Sequence, residues 1–248
     1  MIKFSQIWNL IRNKTRSFFQ KRKTIIIINN YPGSYQPERV LRLENLIRYN
    51  FPELHIKTIH YSEINKEEIR KSIGLILTGS SINVSSFSNN TRLKESFKNE
   101  IELITDLYKK PILAICYGHQ LAAYAFGGNV ERMSFRVVSN DIKMIELKQK
   151  DKLIPFKSIQ VNLNHRDYVS PNDETVKKNF NIVSVLNLGG YDTVQYMRHK
   201  SKPIYSVQFH PENHIGNFKY SPHISDEVID EAKIVGQKLI TNFISICL

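Results

Sequence analysis

Short apolar runs alternate with longer stretches of helical periodicity in the first half of the chain. The apolar runs are Thr24–Ile28, His55–His60, Gly74–Thr78 and Pro111–Ile115. Runs of this kind predict strands that are buried on both faces, as in a parallel sheet. Between them, Pro37–Tyr49 and Leu93–Tyr108 repeat apolar residues at helical spacing, which predicts crossover helices. The order of these elements predicts an α/β fold.

Strands follow one another more closely in the second half. Three of them are predicted at Ile182–Leu188, Thr193–His199 and Ile204–Phe209. Their close spacing from Arg136 onward predicts an antiparallel meander added to the parallel sheet. Ser225–Ile246 has the periodicity of a closing amphipathic helix. Residues 24–248 are therefore predicted to form one domain, a three-layer α/β sandwich with a mostly parallel central sheet and an antiparallel extension.

The first 23 residues differ from the rest in charge. The 248-residue chain has a formal net charge of +12, and residues 1–23 contain seven basic and no acidic residues. Apolar residues at helical spacing lie among them, which is typical of an organelle transit peptide or a helix on a membrane surface. The alternative is an additional amphipathic helix packed on the domain. Beyond this basic leader the basic residues are interspersed with acids, so no specific nucleic-acid partner is predicted.

The cysteine content bears on the compartment. Cys116 and Cys247 are too few for a disulfide framework, and no apolar run approaches the roughly 18 residues of a membrane span. A cytoplasmic location is the default expectation. The basic leader leaves mitochondrial or other organelle targeting, and membrane contact through the leader, as alternatives.

Cys116 lies where an apolar strand runs directly into a helix of small residues. Ala114 and Gly118 stand two positions on either side of it. A strand-to-helix turn with small neighbours is typical of a nucleophile elbow, in which the nucleophile projects from the end of a sheet. The N–H groups at the start of the following helix stabilise a thiolate and supply an oxyanion donor. The alternative is a buried core cysteine, the common fate of this residue type.

A base for the thiol is available at the end of a later strand. The segment Tyr205–Glu212 reads YSVQFHPE, with His210 at the predicted strand end and Glu212 two residues on. A histidine there can reach a thiol at the elbow, and a carboxylate can hold the other ring nitrogen. His210 is followed by proline and no zinc motif or glycine-rich phosphate loop occurs, so neither a metal nor a cofactor is expected.

The two segments together resemble the motifs of the class I glutamine amidotransferase family. The elbow AICYGHQ (residues 114–120) resembles G-x-C-x-G-x-Q, and VQFHPE (residues 207–212) resembles the distant histidine motif, in the same order. The resemblance covers roughly Thr24 to Phe243 and implies a flavodoxin-like α/β fold. It also implies that Cys116 attacks the side-chain amide carbon of glutamine, that His210 acts as base and acid, and that Glu212 orients His210.

The resemblance further implies which residues surround the substrate. Tyr117 would give one oxyanion-hole N–H, and the turn after the third strand, here at Gly79 and Ser80, would give the other. Gln120 would contact the glutamine. The segment NHRDYV (residues 164–169) resembles a pocket-bordering loop of the family and adds Asn164, His165 and Asp167; the alternative is a solvated strand end.

Two features place the chain within the family. Its oxyanion turn reads Thr78-Gly79-Ser80-Ser81, where the family has two glycines and a proline, and this resembles the stand-alone branch that includes γ-glutamyl peptidases. The loss of the second glycine narrows the backbone conformations open to the turn, and the sequence leaves open whether the oxyanion hole is formed at rest. The elbow Ile115-Cys116-Tyr117-Gly118, in contrast, resembles the glutaminase half of GMP synthase.

Three functions follow from the resemblance. The first is a glutaminase that hydrolyses the γ-amide of glutamine through a γ-glutamyl thioester and supplies ammonia to a separate synthase subunit, with a GMP synthase-like enzyme as the first candidate partner. The second is a γ-glutamyl peptide hydrolase that uses the same triad. The third is a catalytically inactive regulatory module of the same fold.

Overall fold

The computed structural model describes residues 22–33, 37–138, 141–214 and 218–248. The predicted leader, residues 1–23, lies almost entirely outside these ranges, and its role stays a prediction. The strands are β1 (Thr24–Asn29), β2 (His55–His60), β3 (Gly74–Leu77), β4 (Ile112–Ile115), β5 (Val130–Arg132), β6 (Ile142–Glu146), β7 (Ser158–Asn162), β8 (Asp167–Val169), β9 (Phe180–Leu188), β10 (Tyr191–His199) and β11 (Ile204–Val207).

Helices connect and flank these strands. They are α1 (Glu38–Asn50), α2 (Lys66–Lys71), α3 (Thr91–Ser96), α4 (Lys98–Glu102), α5 (Tyr117–Ala125), α6 (Glu174–Asn179) and α7 (Asp226–Cys247). Single 3₁₀ turns occupy Tyr61–Glu63, Val84–Ser88 and Pro211–His214, and Leu103–Leu107 forms a π-helical turn. Within the described ranges, no helix combines the length and the apolar composition that a bilayer span requires.

The main sheet has seven strands in the order β2-β1-β3-β4-β11-β10-β9. Neighbours from β2 to β11 pair in parallel, whereas β10 is antiparallel to both β11 and β9. This confirms the predicted fold class. The predicted meander exists, but its last strand, β11, lies inside the parallel part beside β4. Two small sheets, β5 with β8 and β6 with β7, were not predicted.

Alternate side chains of β1 point into two different cores. Ile25 and Ile27 pack on the side of α1 and α7, and Ile26 and Ile28 pack on the side of α4 and α5. Because successive side chains of a strand point to opposite faces, a strand that is apolar throughout needs a helical layer on each side. The three-layer arrangement follows, and the carboxyl ends of β1, β3, β4 and β11 meet at one edge of the sheet.

The helix predicted over Leu93–Tyr108 is present but interrupted at Phe97. The chain forms α3 and α4, separated at Phe97, whose backbone has φ −103° and ψ 5°, and ends in the π-helical turn. Phe97 is fully buried and stacks on Tyr61, with ring centroids 4.2 Å apart. α3 ends at Ser96, and Glu100, three residues after Phe97 on the same helix face, is also fully buried.

Candidate active site

Cys116 occupies a strained turn between β4 and α5. Its φ of 52° is the one positive value at a non-glycine residue among those described, which is typical of an elbow that projects its side chain from the sheet. Gly118 is required by the tight approach of α5 to β3, because a Cβ there would lie 2.8 Å from the Leu77 carbonyl oxygen. The Cys116 side chain is nearly buried, and its sulfur donates to the Asn164 carbonyl at 3.8 Å.

His210 reaches the thiol because β11 lies directly beside β4. Val207 pairs with Ile115, and the Cys116 N–H donates to the Val207 carbonyl at 2.8 Å. Three residues beyond β11, His210 is 1% exposed, and its Nδ1 bonds Glu212 Oε1 at 2.7 Å. Nε2 has no hydrogen-bond partner among the described residues, so it is the ring nitrogen available to the sulfur.

The charges around His210 favour its protonated form. Burial alone lowers the pKa of His210, but the negative charges of Cys116 and Glu212 outweigh it and raise this pKa to about 9. Burial works in the opposite sense on Glu212, yet His210 and Arg39 hold its pKa below the usual value. His210 is therefore protonated and buried beside Glu212, and a cation in this position next to a cysteine is the electrostatic arrangement that favours a cysteine nucleophile.

The turn after β3, which contains Gly79 and Ser80, lies against His210. A Cβ on Gly79 would lie 3.0 Å from His210 Cε1 and 3.3 Å from the Tyr31 hydroxyl, so glycine lets the turn approach the histidine. The Ser80 hydroxyl donates to the Asn30 carbonyl at 2.5 Å and accepts from the Ile82 N–H at 3.0 Å. Ser80 stands where the resemblance implies a second glycine, and its two hydrogen bonds fix the turn to Asn30 and Ile82. Tyr117, as the first residue of α5, has an N–H without an acceptor in the helix.

The residues predicted to contact substrate all line one cavity of about 170 Å³ beside the cysteine. Its walls include Ser80, Cys116, Gln120, Asn164, His165 and Asp167. The amide nitrogen of Gln120 is already used, donating to the Asp167 carbonyl at 2.8 Å, so this side chain holds the wall in place. Asp167 accepts from the Ser85 N–H at 2.9 Å. Burial lowers the pKa of His165 to about 4, and His165 is neutral at pH 7.

A second cavity, of about 480 Å³, was missed by the sequence analysis and shares four lining residues with the first: Ser80, Ser81, Arg136 and Asn164. Its wall carries four cationic side chains and a single acidic one: Arg39, Arg42, Arg136, Lys219 and Glu38. Arg42 pairs with Glu38 at 2.6 Å, whereas no carboxylate of the described residues lies within ion-pair distance of the other three. Isolated basic residues in a sequence resemble an ordinary solvated surface, so nothing local could have revealed this cavity.

Tyr31 connects the second cavity to the triad. Arg39 donates to its hydroxyl at 3.4 Å, and burial raises the pKa of Tyr31 to about 12, so the hydroxyl stays protonated at neutral pH. The charge of Arg39 also acts on Glu212. The cationic cavity therefore lies on the His210 side of the cysteine.

These features define an α/β protein with a cysteine, a histidine and a carboxylate gathered at the carboxyl edge of its sheet. A family model described as glutamine amidotransferase class-I matches residues 43–229. The glutamine-hydrolyzing GMP synthase subunit of Methanothermobacter thermautotrophicus is 35% identical over 192 residues, which are 77% of this chain and 89% of that protein. The chain belongs to the class I glutamine amidotransferase family, an enzyme family, as its motifs predicted.

Further relatives differ in how much of their length is matched. The glutamine-hydrolyzing GMP synthase subunit of Methanocaldococcus jannaschii is 33% identical over 62% of this chain and 68% of that protein. A carbamoyl phosphate synthase small chain of Clostridium perfringens is 38% identical over 54% of this chain, and this match spans only 34% of the relative. Among solved structures, a glutamine amidotransferase from Thermotoga maritima has a TM-score of 0.67 at 16% identity, with 92% of this chain and 99% of that chain covered, and shares the fold.

Proposed function

We propose that the protein hydrolyses the γ-amide of glutamine with Cys116 as nucleophile, His210 as general base and acid, and Glu212 as the group that orients His210. The observation that carries this proposal is that three buried side chains, those of Cys116, His210 and Glu212, lie together at the edge of the sheet. Cys116 has a strained backbone, and His210 forms a 2.7 Å hydrogen bond with Glu212. The glutamine-hydrolysing relatives support the same substrate.

The reaction divides into two steps at one sulfur. The Cys116 thiolate attacks the amide carbon, and the N–H groups at Tyr117 and at the Gly79–Ser80 turn stabilise the oxyanion. Imidazolium His210 then gives its proton to the departing nitrogen, so that ammonia leaves and a γ-glutamyl thioester remains. His210, now neutral, takes a proton from water, and the resulting hydroxide attacks the thioester carbon. The carbon–sulfur bond then breaks, so that glutamate leaves and the Cys116 thiolate is restored beside imidazolium His210. Asn164, His165, Asp167 and Gln120 shape the pocket that holds the glutamyl group.

The test is the release of ammonia and glutamate from glutamine by the purified protein. Cys116→Ala should lower turnover by at least about 10³-fold while the far-UV circular dichroism stays unchanged. Cys247→Ser is the matched control and should keep turnover within twofold, because Cys247 lies at the end of α7. Equal activity of wild type and Cys116→Ala would refute the mechanism. A wild type that hydrolyses neither glutamine nor a γ-glutamyl peptide, alone or with its synthase, would favour the inactive regulatory module.

The ammonia is proposed to pass to a separate synthase subunit, of which a GMP synthase-like enzyme is the first candidate. The relatives named as glutamine-hydrolyzing GMP synthase subunits support this choice. When the protein is mixed with the GMP synthase subunit encoded in the same genome, GMP should form from glutamine without added ammonia. GMP formation that still requires added ammonia would point to another synthase.

The cationic cavity favours a second candidate function, hydrolysis of γ-glutamyl peptides. A leaving group on the His210 side enters a space lined by Arg39 and Arg136, whose guanidinium groups bind carboxylates well. The test compares γ-glutamylglycine with γ-glutamylglycinamide, which lacks the carboxylate. A preference of at least about tenfold in kcat/KM for the free acid would support peptide hydrolysis. Equal rates would remove the reason for this candidate.

A further inference from the structure

Glu100 is a carboxyl group buried beneath the oxyanion turn with no cation beside it. It lies on α4, has no exposed surface, and forms no ion pair with any Lys, Arg or His among the described residues. Its Oε1 accepts from the Asn30 side-chain nitrogen at 3.0 Å, while its Oε2 has no partner among the described residues. A buried carboxyl without a cation is costly, so a purely structural role would be better served by an apolar residue.

Asn30 transmits the contact from Glu100 to the oxyanion turn. Its backbone N–H donates to the Thr78 hydroxyl at 3.0 Å, and its side-chain nitrogen donates to the Thr78 carbonyl at 3.3 Å. Its own carbonyl accepts from the Ser80 hydroxyl. Asn30 thus holds the residues on both sides of Gly79, the residue that approaches His210.

Glu100 also lies near the phenol of Tyr117, the residue whose backbone N–H is proposed as the other oxyanion donor. Burial raises the pKa of the Tyr117 phenol well above its usual value, and the charge of Glu100 adds to this effect. The Tyr117 hydroxyl is buried and has no hydrogen-bond partner among the described residues. Glu100 therefore lies close to two side chains, those of Asn30 and Tyr117.

We propose that Glu100 is a positioning residue that holds the Thr78–Ser80 turn in its oxyanion-binding geometry through Asn30. This inference rests on the proposed function, because it concerns the same oxyanion site. It also explains how the turn is held with serine in place of the second glycine. The Ser80 hydroxyl bonds to Asn30, and Asn30 in turn bonds to Glu100.

The protonation of Glu100 adds a signature that packing alone would not produce. Burial raises the pKa of Glu100 to about 8, so the side chain is neutral at pH 7 and accepts from Asn30 without a negative charge beneath the developing oxyanion. The titratable group near it is the Tyr117 phenol, whose raised pKa keeps it neutral at pH 8. Ionisation of Glu100 above pH 8 should therefore slow oxyanion formation.

The experiment measures kcat and KM for glutamine in Glu100→Gln, Glu100→Ala and Asn30→Ala, with the exposed Glu95→Gln as matched control. Glu100→Ala should lower kcat at least tenfold and change KM less than twofold, because the turn acts on the transition state. Glu100→Gln keeps an acceptor for Asn30 and should restore kcat at pH 7. The decline of kcat at alkaline pH should occur near pH 8 in wild type. In Glu100→Gln it should move toward about pH 9, the pKa of His210.

A double variant tests whether Glu100 and Asn30 act through the same hydrogen-bonded connection to the turn. Glu100→Ala with Asn30→Ala should lower kcat no further than either single change, because both remove the same anchor. Wild-type kcat in Glu100→Ala, or an alkaline limb of Glu100→Gln identical to that of wild type, would overturn the positioning role and leave the proposed glutaminase intact. A wild type without cysteine-dependent turnover would instead overturn the proposed function itself.

Discussion

Replacing Glu100 with glutamine should change how the stability of the protein depends on pH. The folded structure buries this carboxyl completely, and among the described residues it receives one hydrogen bond, from Asn30. An unfolded chain exposes it to water. Glutamine has nearly the same shape and an acceptor oxygen, but it carries no titratable proton. The variant therefore isolates the ionisation of one buried group.

The magnitude follows from the two pKa values of the carboxyl group. Burial raises the pKa of Glu100 from 4.5 to about 8, so folding takes up a proton between these values. The stabilising effect is complete below pH 4.5 and is lost as the pH rises toward 8. Each pH unit in this window lowers the free energy of unfolding by about 1.4 kcal/mol. Between pH 5 and pH 7 the wild type should lose about 3 kcal/mol relative to Glu100→Gln, a large share of a typical stability of about 5–15 kcal/mol.

Urea unfolding at pH 5, 6 and 7, followed by far-UV circular dichroism, measures this difference. The free energies of unfolding of wild type and Glu100→Gln should diverge with rising pH, with the variant the more stable at pH 7. Glu95→Gln, an exposed carboxyl on α3, should run parallel to wild type. Parallel curves for wild type and Glu100→Gln would refute the assignment of a buried, neutral Glu100.

Three further substitutions test the site. Gly118→Ala places a Cβ 2.8 Å from the Leu77 carbonyl oxygen and should destabilise the protein by about 1–3 kcal/mol in urea unfolding; an unchanged midpoint would contradict this packing. Glu212→Gln removes a charge that supports imidazolium, so the pKa of His210 should fall below about 9 in an NMR titration and kcat should drop at least tenfold. Gly79→Ala crowds His210 and should lower kcat with little change in thermal unfolding; wild-type kcat would argue against a close turn.

Local patterns in the sequence were sufficient for the layers of the fold. The predicted apolar face of α1, Val40, Leu43, Leu46 and Ile47, is buried at every position. Hydrophobic periodicity reports which side of an element is covered, because burial of a helix face depends on residues three and four apart on the same helix. The cysteine and histidine motifs were visible for a similar reason, because each is a short run of neighbouring residues. A sharp elbow, for example, requires small residues two positions on either side of the cysteine.

Contacts between distant segments decided the rest. The interruption at Phe97 coincides with the stacking of this ring on Tyr61, which lies on another element, so helical periodicity over Leu93–Tyr108 could not reveal it. Glu100 follows Phe97 by three positions and lies on the same buried helix face, but the sequence could not show that this carboxyl pairs with Asn30 and with no cation of the described residues.

The two cavities depend on the same kind of contact. Arg39 and Arg136 meet across the second cavity although nearly 100 positions separate them, and the anchoring of Ser80 by Asn30 joins the ends of two strands. The sequence by itself determined the family, the layered α/β fold and the candidate nucleophile with its base, because each depends on neighbouring positions. Tertiary structure alone decided the charge of the cavity and the support of the oxyanion turn, because these properties arise where separate strands end side by side.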